Sequence, residues 1–152
     1  MRSRLAGGVA AVVLVPALLA GCGDGGEPGA EKQRYIEQSD AICRDTFAEA
    51  NQVGTGRDQQ TAQRLADVWA PAAQELKALP VPRESLELAQ QFVTDVENLS
   101  LAYVHAARSA ELNDQADVEE AFRDIDLIKD RAAETAEEYG YEVCSQIGQV
   151  NR

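Results

Sequence analysis

Apolar residues recur every three or four positions through most of the chain, and this spacing predicts amphipathic α-helices. The longest stripe predicts a helix over residues 83–112, and shorter stripes predict helices over residues 31–53, 58–79 and 115–139. The members of the longest stripe are apolar or aromatic: Leu86, Ala89, Val93, Val96, Leu99, Tyr103, Ala106 and Ala110. Pro71 lies inside the second predicted helix, where it removes one backbone hydrogen bond, so we expect a kink there or a break into two shorter helices.

Turn-forming segments separate the four predicted helices. The breaks are Gly54-Thr55-Gly56, Pro80-Val81-Pro82 and Asn113-Asp114, and Gly140 is placed to cap the fourth helix. No segment shows the sustained alternation of apolar and polar residues that is typical of a strand. Because short connections make consecutive helices antiparallel neighbours, the pattern predicts an all-α, up-down four-helix bundle over residues 31–152.

The chain begins with a different pattern. Two arginines precede an apolar run over residues 6–20, and the run ends in Leu19-Ala20-Gly21-Cys22, which has the lipobox pattern of bacterial lipoproteins. A transmembrane helix needs about 20 apolar residues, so this run is short for one. We therefore expect residues 1–21 to be a lipoprotein signal peptide that is removed, with diacylglycerol attached to Cys22. An ordinary secretory signal and an uncleaved anchor are the alternatives.

The segment after the expected cleavage site has the composition of a linker. Residues 22–30 hold Cys22 and a glycine-rich stretch without a large apolar side chain, so we expect a flexible tether between membrane and bundle. The diacylglycerol on Cys22 is the expected contact with the membrane. It predicts that the protein is held on the extracytoplasmic face of the cell membrane.

The composition is strongly acidic, since 26 Asp and Glu residues against 14 Lys and Arg residues give a formal net charge of −12. Nucleic-acid binding needs a basic surface, and so does adhesion of a protein surface to anionic lipid headgroups; the charge argues against both. The acidic residues are scattered along the chain. That distribution favours a role in solubility over binding of a cationic partner or of divalent ions.

Two cysteines remain once lipidation uses Cys22. Cys43 and Cys144 lie in a domain that we expect to be exported, where oxidation is allowed. An up-down bundle also brings the end of the fourth helix beside the first helix, so we predict a disulfide between them. We further expect the tail, residues 145–152, to run along the first turns of the first helix. A metal-binding or catalytic thiol would need partners, and the chain has one histidine.

Three segments carry a family resemblance. The run from Tyr35 to Cys43 opens the domain, Leu79-Pro80-Val81-Pro82 forms a central turn, and Tyr139-Gly140-Tyr141-Glu142-Val143-Cys144 closes it. Together with the lipobox, these segments resemble the small helical lipoproteins and secreted proteins of actinobacteria, a group of unknown function. The resemblance implies the fold, export and the cysteine pair, and it carries over no functional residue.

Few residues are candidates for chemistry. His105 is the only histidine, and it lies beside the stripe of the third helix, so we expect it at the surface. Acidic and basic residues interleave on the fourth helix, which favours i,i+4 ion pairs on a solvated face over a metal site: Arg123, Asp124, Asp126, Lys129, Asp130 and Arg131. No established catalytic or nucleotide-binding motif occurs. We therefore expect no enzymatic activity, no cofactor and no metal.

Two function hypotheses follow. The first is a non-enzymatic, lipid-anchored module that interacts with another envelope protein. The second is a lipoprotein that holds a small apolar ligand between its helices, with Trp69 and Tyr103 facing the ligand. Aromatic residues at helical spacing are usually core residues, so Trp69 is also interpreted as a core anchor. An enzyme that uses only carboxylates would need a cleft that a narrow bundle hardly provides.

Overall fold

The computed structural model describes residues 29–152; the predicted signal peptide, Cys22 and most of the linker lie outside the described residues. The described chain contains four α-helices: α1 (Ala30–Val53), α2 (Gln59–Ala78), α3 (Leu86–Glu111) and α4 (Gln115–Tyr139). Two short 3₁₀ helices, Arg83–Ser85 and Cys144–Gln149, precede α3 and follow α4. Residues 29–152 contain no strand, which confirms the predicted all-α class.

The predicted helix bounds agree with the structure to within one residue at every end except the start of α3. The sequence pattern placed that start at Arg83, but the α-helical ladder begins at Leu86. Pro82 fixes an extended backbone, and the Ser85 N–H then donates to the Pro82 carbonyl in a tighter 3₁₀ turn. The apolar stripe is continuous across this turn, so spacing alone does not distinguish the two helix types.

Local chemistry explains where the helices end. Asp58 caps the start of α2 by accepting a hydrogen bond from the Thr61 N–H, and Asp114 caps α4 by accepting one from the Asp117 N–H. Gly140 ends α4 in the left-handed region, with a φ of 100°, as its position predicted. Each cap satisfies backbone groups that have no partner within their helix.

Pro71 does not divide α2, which runs unbroken from Gln59 to Ala78. The proline lies on the exposed side of the helix. Because the proline has no N–H, the carbonyl of Asp67, four residues earlier, has no hydrogen-bond partner within the helix. Asp67 is also exposed. Water can hydrogen-bond to that carbonyl, so the helix continues past the proline. Of the two expected outcomes, a kink or a break, the break into two helices is wrong.

Contacts between helices confirm the antiparallel bundle. α2 packs along α3, and α3 packs along α4. Asp95 of α3 pairs with Arg131 of α4, whereas Ser109, further along α3, bonds to Asp117 at the start of α4. Residue numbers therefore rise along α3 as they fall along α4. α1 packs on α2, where the rings of Phe47 and Trp69 lie 5.9 Å apart.

The seam between α1 and α4 is closed by the chain that follows α4. The 3₁₀ helix Cys144–Gln149 packs against both helices, and the Asn151 side-chain amide donates to the Ala50 carbonyl, 3.0 Å away. The tail thus follows the later turns of α1, and the expectation that it follows the first turns is wrong. Because the chain reverses at Gly140, the tail runs parallel to α1 and starts level with Cys43.

The core lies along the bundle axis and combines large side chains with alanines. Wholly buried alanines on every α-helix let the helices approach closely: Ala50, Ala62, Ala89, Ala106, Ala132 and Ala136. Larger buried side chains fill the space between them: Leu65, Trp69, Leu76, Phe92, Leu99 and Ile125. Burial of this apolar surface provides the main driving force for the fold.

Candidate functional site

The predicted disulfide is present. Cys43 and Cys144 are bonded, with their Cα atoms 5.3 Å apart, and both are buried. The bond joins the middle of α1 to the segment after α4, across 101 positions of sequence. It forms part of what we call the disulfide end of the seam, defined by Asp40, Cys43, Tyr141 and Cys144.

Asp40 holds the backbone on the other side of this bond. One of its carboxylate oxygens accepts hydrogen bonds from the Val143 and Cys144 N–H groups, and the other accepts one from Glu142, all at 2.9 Å. These N–H groups open the 3₁₀ helix and have no partner within it. Asp40 therefore caps that helix from α1, and with the disulfide it fixes the end of the chain.

A cluster of aromatic rings fills the adjoining space. Tyr139 and Tyr141 stack at 4.5 Å, Tyr35 lies edge-on to Tyr139 at 5.7 Å, and Phe92 lies 5.1 Å from Tyr141. The Tyr35 and Tyr141 hydroxyls are buried with no hydrogen-bond partner in the described chain. Burial, reinforced by the nearby Tyr35, raises the pKa of Tyr141. The cluster stabilises the fold, since its rings pack on one another.

His105 has neighbours that the sequence did not indicate. Its Nε2 lies 3.5 Å from Oδ2 of Asp117, and the Ser109 hydroxyl bonds to the same oxygen. A hydrolytic triad requires the histidine to lie between the acid and the hydroxyl, so that it can remove the hydroxyl proton. Here the carboxylate lies between the other two groups, and Ser109 is only 2% exposed. The three side chains therefore link α3 to the start of α4 and do not form a nucleophile site.

An open pocket lies at the other end of the seam, under the connection between α1 and α2. We call it the seam pocket, and its volume is about 430 Å³. Residues of α2, α3 and α4, the connection at residues 55–57 and the end of the chain line it. The residues of its floor are apolar or aromatic: Leu65, Tyr103, Phe122 and Ile125. The seam pocket thus combines an apolar floor with an open, polar mouth.

The charges around the seam pocket are mixed. Arg57, Lys129 and Arg152 bring three cationic groups, and Asp126 and Asp130 bring two carboxylates. Arg152 pairs with Asp130. The guanidinium carbon of Arg57 lies 5.2 Å from the centre of the Phe122 ring, which is a cation–π distance.

Lys129 is the most unusual of these groups, because its side chain is buried and the residue is only 1% exposed. Its ammonium donates to the Val150 carbonyl, which ties α4 to the tail. Burial lowers the pKa of Lys129; Asp126 and Asp130 oppose this shift, and Arg152 adds to it. The expectation that Lys129 belongs to a solvated face is wrong.

The spacing of residues in the sequence already indicated that Lys129 is buried. Lys129 lies four residues after Ile125 and seven after Phe122, so it falls on the buried stripe of α4. The ion pairs also differ from those expected, because Arg131 reaches across to Asp95 on α3, at 2.6 Å, instead of pairing within α4. Charge type alone suggested a solvated face, whereas helical spacing would have placed Lys129 inside.

The two aromatic residues expected to face a ligand lie in different places. Trp69 packs in the core beside Phe47, is 2% exposed and does not line the seam pocket. Tyr103 forms part of the pocket floor. Burial raises the pKa of Tyr103, and the nearby Asp126 carboxylate adds to this shift. Of the two residues expected to face a ligand, Tyr103 thus lines the seam pocket, together with Arg57 and Phe122, and Trp69 does not.

Two further observations concern residues 29–152. No group of three or more His, Cys, Asp or Glu side chains in this range is placed to hold a metal ion. Over the same range, every helix is too short or too polar to cross a membrane.

No protein-family model, curated protein or solved structure matches the chain. The features that remain to indicate a function are the sequence pattern of residues 1–22, the disulfide and the seam pocket.

Proposed function

We propose that this protein is an extracytoplasmic lipoprotein, anchored by diacylglycerol on Cys22, whose helical bundle acts as a non-enzymatic interaction module in the cell envelope. The observation that carries the proposal is the Cys43–Cys144 disulfide in a chain that begins with a signal-like leader and a lipobox. Disulfides persist in oxidising compartments and are rare in the cytosol. The leader and the disulfide therefore support the same location by independent chemistry.

The proposed anchor also limits the distance between the bundle and the membrane. Cys22 precedes the start of α1 at Ala30 by eight residues, and a linker of that length would reach roughly 15 Å. The first turns of α1 would then lie close to the bilayer. α1 has 24 residues, so its other end, next to the seam pocket, lies about 36 Å further along the helix axis.

The absence of a catalytic arrangement in the described residues supports a binding role. The grouping of His105, Ser109 and Asp117 has the wrong order for nucleophile activation, and Ser109 is buried. Asp95, a buried carboxylate, pairs with Arg131, and Asp40 is occupied by three backbone donors. These groups hold the fold and are not free to act on a substrate.

Mass analysis of the protein from native membranes tests the anchor. The expected chain starts at Cys22 and carries diacylglycerol on its sulfur, and Cys22→Ser should leave the chain unlipidated. Cys43→Ser is the matched control, because it also removes one thiol and should leave the lipid in place. A native chain with an unacylated Cys22, or one that still begins at Met1, would contradict the proposal.

A pull-down tests the interaction role. The native lipoprotein is cross-linked in intact envelopes and recovered beside a control bundle with rearranged exposed residues and an unchanged core and disulfide. A component enriched by the native protein, and lost with the control, is the expected result. Equal recovery by both proteins would contradict an interaction module.

The seam pocket supports a second candidate function, namely a lipoprotein that binds a small ligand. Its volume of about 430 Å³ lies within the range of small-molecule sites, which is roughly 300–1,000 Å³. Tyr103, which was expected to face a ligand, lies on its floor. Native mass spectrometry of the protein purified from its host tests this function, since a retained ligand adds a defined mass.

A further inference from the structure

The geometry points to the seam pocket as a binding site for a small amphipathic carboxylate, that is, an anion with one carboxylate group and an apolar body. This inference rests on the ligand-binding function proposed above and adds the chemical class of the ligand. It does not depend on the lipid anchor or on an envelope partner.

The local charge favours an anion. Three cationic side chains line the seam pocket against two carboxylates, although the chain as a whole has a formal net charge of −12. One of the cations, Arg152, pairs with the carboxylate of Asp130. Arg57, Lys129 and the carboxylate of Asp126 remain, and neither cation belongs to a salt bridge formed within residues 29–152. The pocket lining therefore carries one more cationic than anionic side chain, on an acidic protein.

Arg57 can offer its donors to a carboxylate. Its guanidinium carbon lies 5.2 Å from the centre of the Phe122 ring, so the ring occupies one side of the group. The N–H donors of a guanidinium point outward in its plane, and contact with an aromatic ring leaves them free. A planar fork of this kind matches the two oxygens of a carboxylate.

Lys129 can supply a second contact from inside the pocket. An ammonium has three donors, and the hydrogen bond to Val150 uses one of them. Burial disfavours the charged form of Lys129 and lowers its pKa, and the nearby Asp126 and Asp130 carboxylates offset this only in part. An anion bound beside Lys129 would favour its charged form further.

The floor of the pocket accounts for the apolar body of the ligand. Leu65, Phe122 and Ile125 line the pocket next to the two cations. An inorganic anion such as phosphate would use the cations alone. A carboxylate with an aromatic or aliphatic body would also make van der Waals contacts with these side chains.

Calorimetry with matched probes tests the inference. The intact protein, with its disulfide formed and held in lipid nanodiscs, is titrated with 3-phenylpropanoate, with the neutral 3-phenylpropanamide and with inorganic phosphate. Empty nanodiscs correct for partition of the probes into lipid. We expect 3-phenylpropanoate to bind with a Kd below about 1 mM, and the amide and phosphate to bind about tenfold more weakly or worse.

A pair of arginine variants identifies the site. Arg57→Gln should weaken binding of 3-phenylpropanoate about tenfold, because it removes the carboxylate fork and leaves the floor intact. Arg64→Gln is the matched control, since Arg64 is exposed on α2 and does not line the pocket. Lys129→Met should also weaken binding. Arg57 is the decisive position, because it is exposed and its replacement leaves the core unchanged.

The possible results separate this inference from the function on which it rests. Equal binding of the amide and the carboxylate would overturn carboxylate recognition and leave ligand binding in place. Binding of phosphate as tight as that of 3-phenylpropanoate would overturn the amphipathic class. Absence of binding by all three probes, together with native protein that carries no ligand, would overturn both the inference and the ligand-binding function.

Discussion

The two ends of the seam between α1 and α4 differ in how they use their polar groups. At the disulfide end, Asp40 is occupied by three backbone donors, and Cys43 is bonded to Cys144. At the seam pocket, Arg57 has an aromatic neighbour and no carboxylate partner in the described chain, and Lys129 uses one donor. At the disulfide end the carboxylate and both cysteines are thus engaged within the fold, although the Tyr35 and Tyr141 hydroxyls have no partner, whereas Arg57 and Lys129 at the seam pocket form no salt bridge in the described chain.

The difference has a simple physical origin. Gly140 reverses the chain next to the first half of α1, so backbone N–H groups arrive there and need acceptors. On the side of the seam, the second half of α1 contacts the last residues of the chain, where Asn151 bonds to Ala50 and Asn51. Stability should therefore be concentrated at the disulfide end, and the seam pocket should tolerate substitution. Four predictions test this contrast, in order of decreasing effect.

Removal of the disulfide should have the largest effect. The paired replacement Cys43→Ser with Cys144→Ser should lower the free energy of unfolding by about 2–5 kcal/mol, because the unfolded chain regains the freedom of a long loop. Urea denaturation measures the loss, and the wild-type protein under reducing conditions should reproduce it. A loss below about 0.5 kcal/mol would remove the disulfide end as the main source of stability.

Replacement of the Asp40 carboxylate should have the second largest effect on the free energy of unfolding. Asp40→Asn keeps one accepting oxygen and turns an amide donor toward a backbone N–H, so we expect a loss of about 2–3 kcal/mol. Asp45→Asn is the matched control, because Asp45 is exposed on the same helix and should change stability by less than about 0.5 kcal/mol. Faster hydrogen exchange at Glu142, Val143 and Cys144 should accompany the loss. Equal effects of the two variants would contradict the capping role.

Alkaline pH should lower the stability of the fold through one tyrosine at each end of the seam. The pKa values of Tyr141 at the disulfide end and Tyr103 in the pocket are raised from the usual 10.0, so the folded state keeps its protons while the unfolded state loses them. Stability is then fully present below pH 10 and falls above it, by about 1.4 kcal/mol for each tyrosine at pH 11.

Single phenylalanine variants assign this pH dependence. Tyr141→Phe and Tyr103→Phe each remove one ionisable group, so each should reduce the fall in stability between pH 9 and pH 11 by a similar amount. Urea denaturation at several pH values measures the slope. A slope unchanged in both variants would show that the tyrosines titrate freely in the folded protein.

Substitution at the mouth of the pocket should have the smallest effect. Arg57→Gln removes an exposed cation–π contact and should lower the free energy of unfolding by about 0.5–1 kcal/mol at most. The same urea measurement that detects Asp40→Asn serves here, and the two results should differ clearly. A loss as large as that of Asp40→Asn would mean that the seam pocket also holds the fold together.

Much of the fold followed from the sequence because it depends on local patterns. The spacing of apolar residues predicted all four helices, and Gly140 and Asp114 marked helix ends through their own backbone and side-chain chemistry. The Cys43–Cys144 pair followed from the number of cysteines and from the antiparallel order of the helices. The resemblance to small helical lipoproteins and the lipid on Cys22 stay predictions.

The candidate site was predicted only in part. Tyr103 was expected to face a ligand and lies on the pocket floor, whereas Trp69, expected beside it, lies in the core. Arg57 was not considered, because a single arginine in a connection carries no periodic signal. Lys129 was assigned to the surface because lysines are usually solvated, although its spacing from Ile125 placed it on the buried stripe.

By itself, the sequence determined where helices form and which face of each is apolar, because hydrogen bonds and side-chain spacing within one helix act over a few residues. The tertiary structure decided which polar groups contact one another. Asp40 accepts hydrogen bonds from N–H groups more than 100 positions away in the sequence, and Arg57 contacts Phe122 of α4. Such long-range contacts depend on how the chain reverses and packs, which a local pattern does not specify.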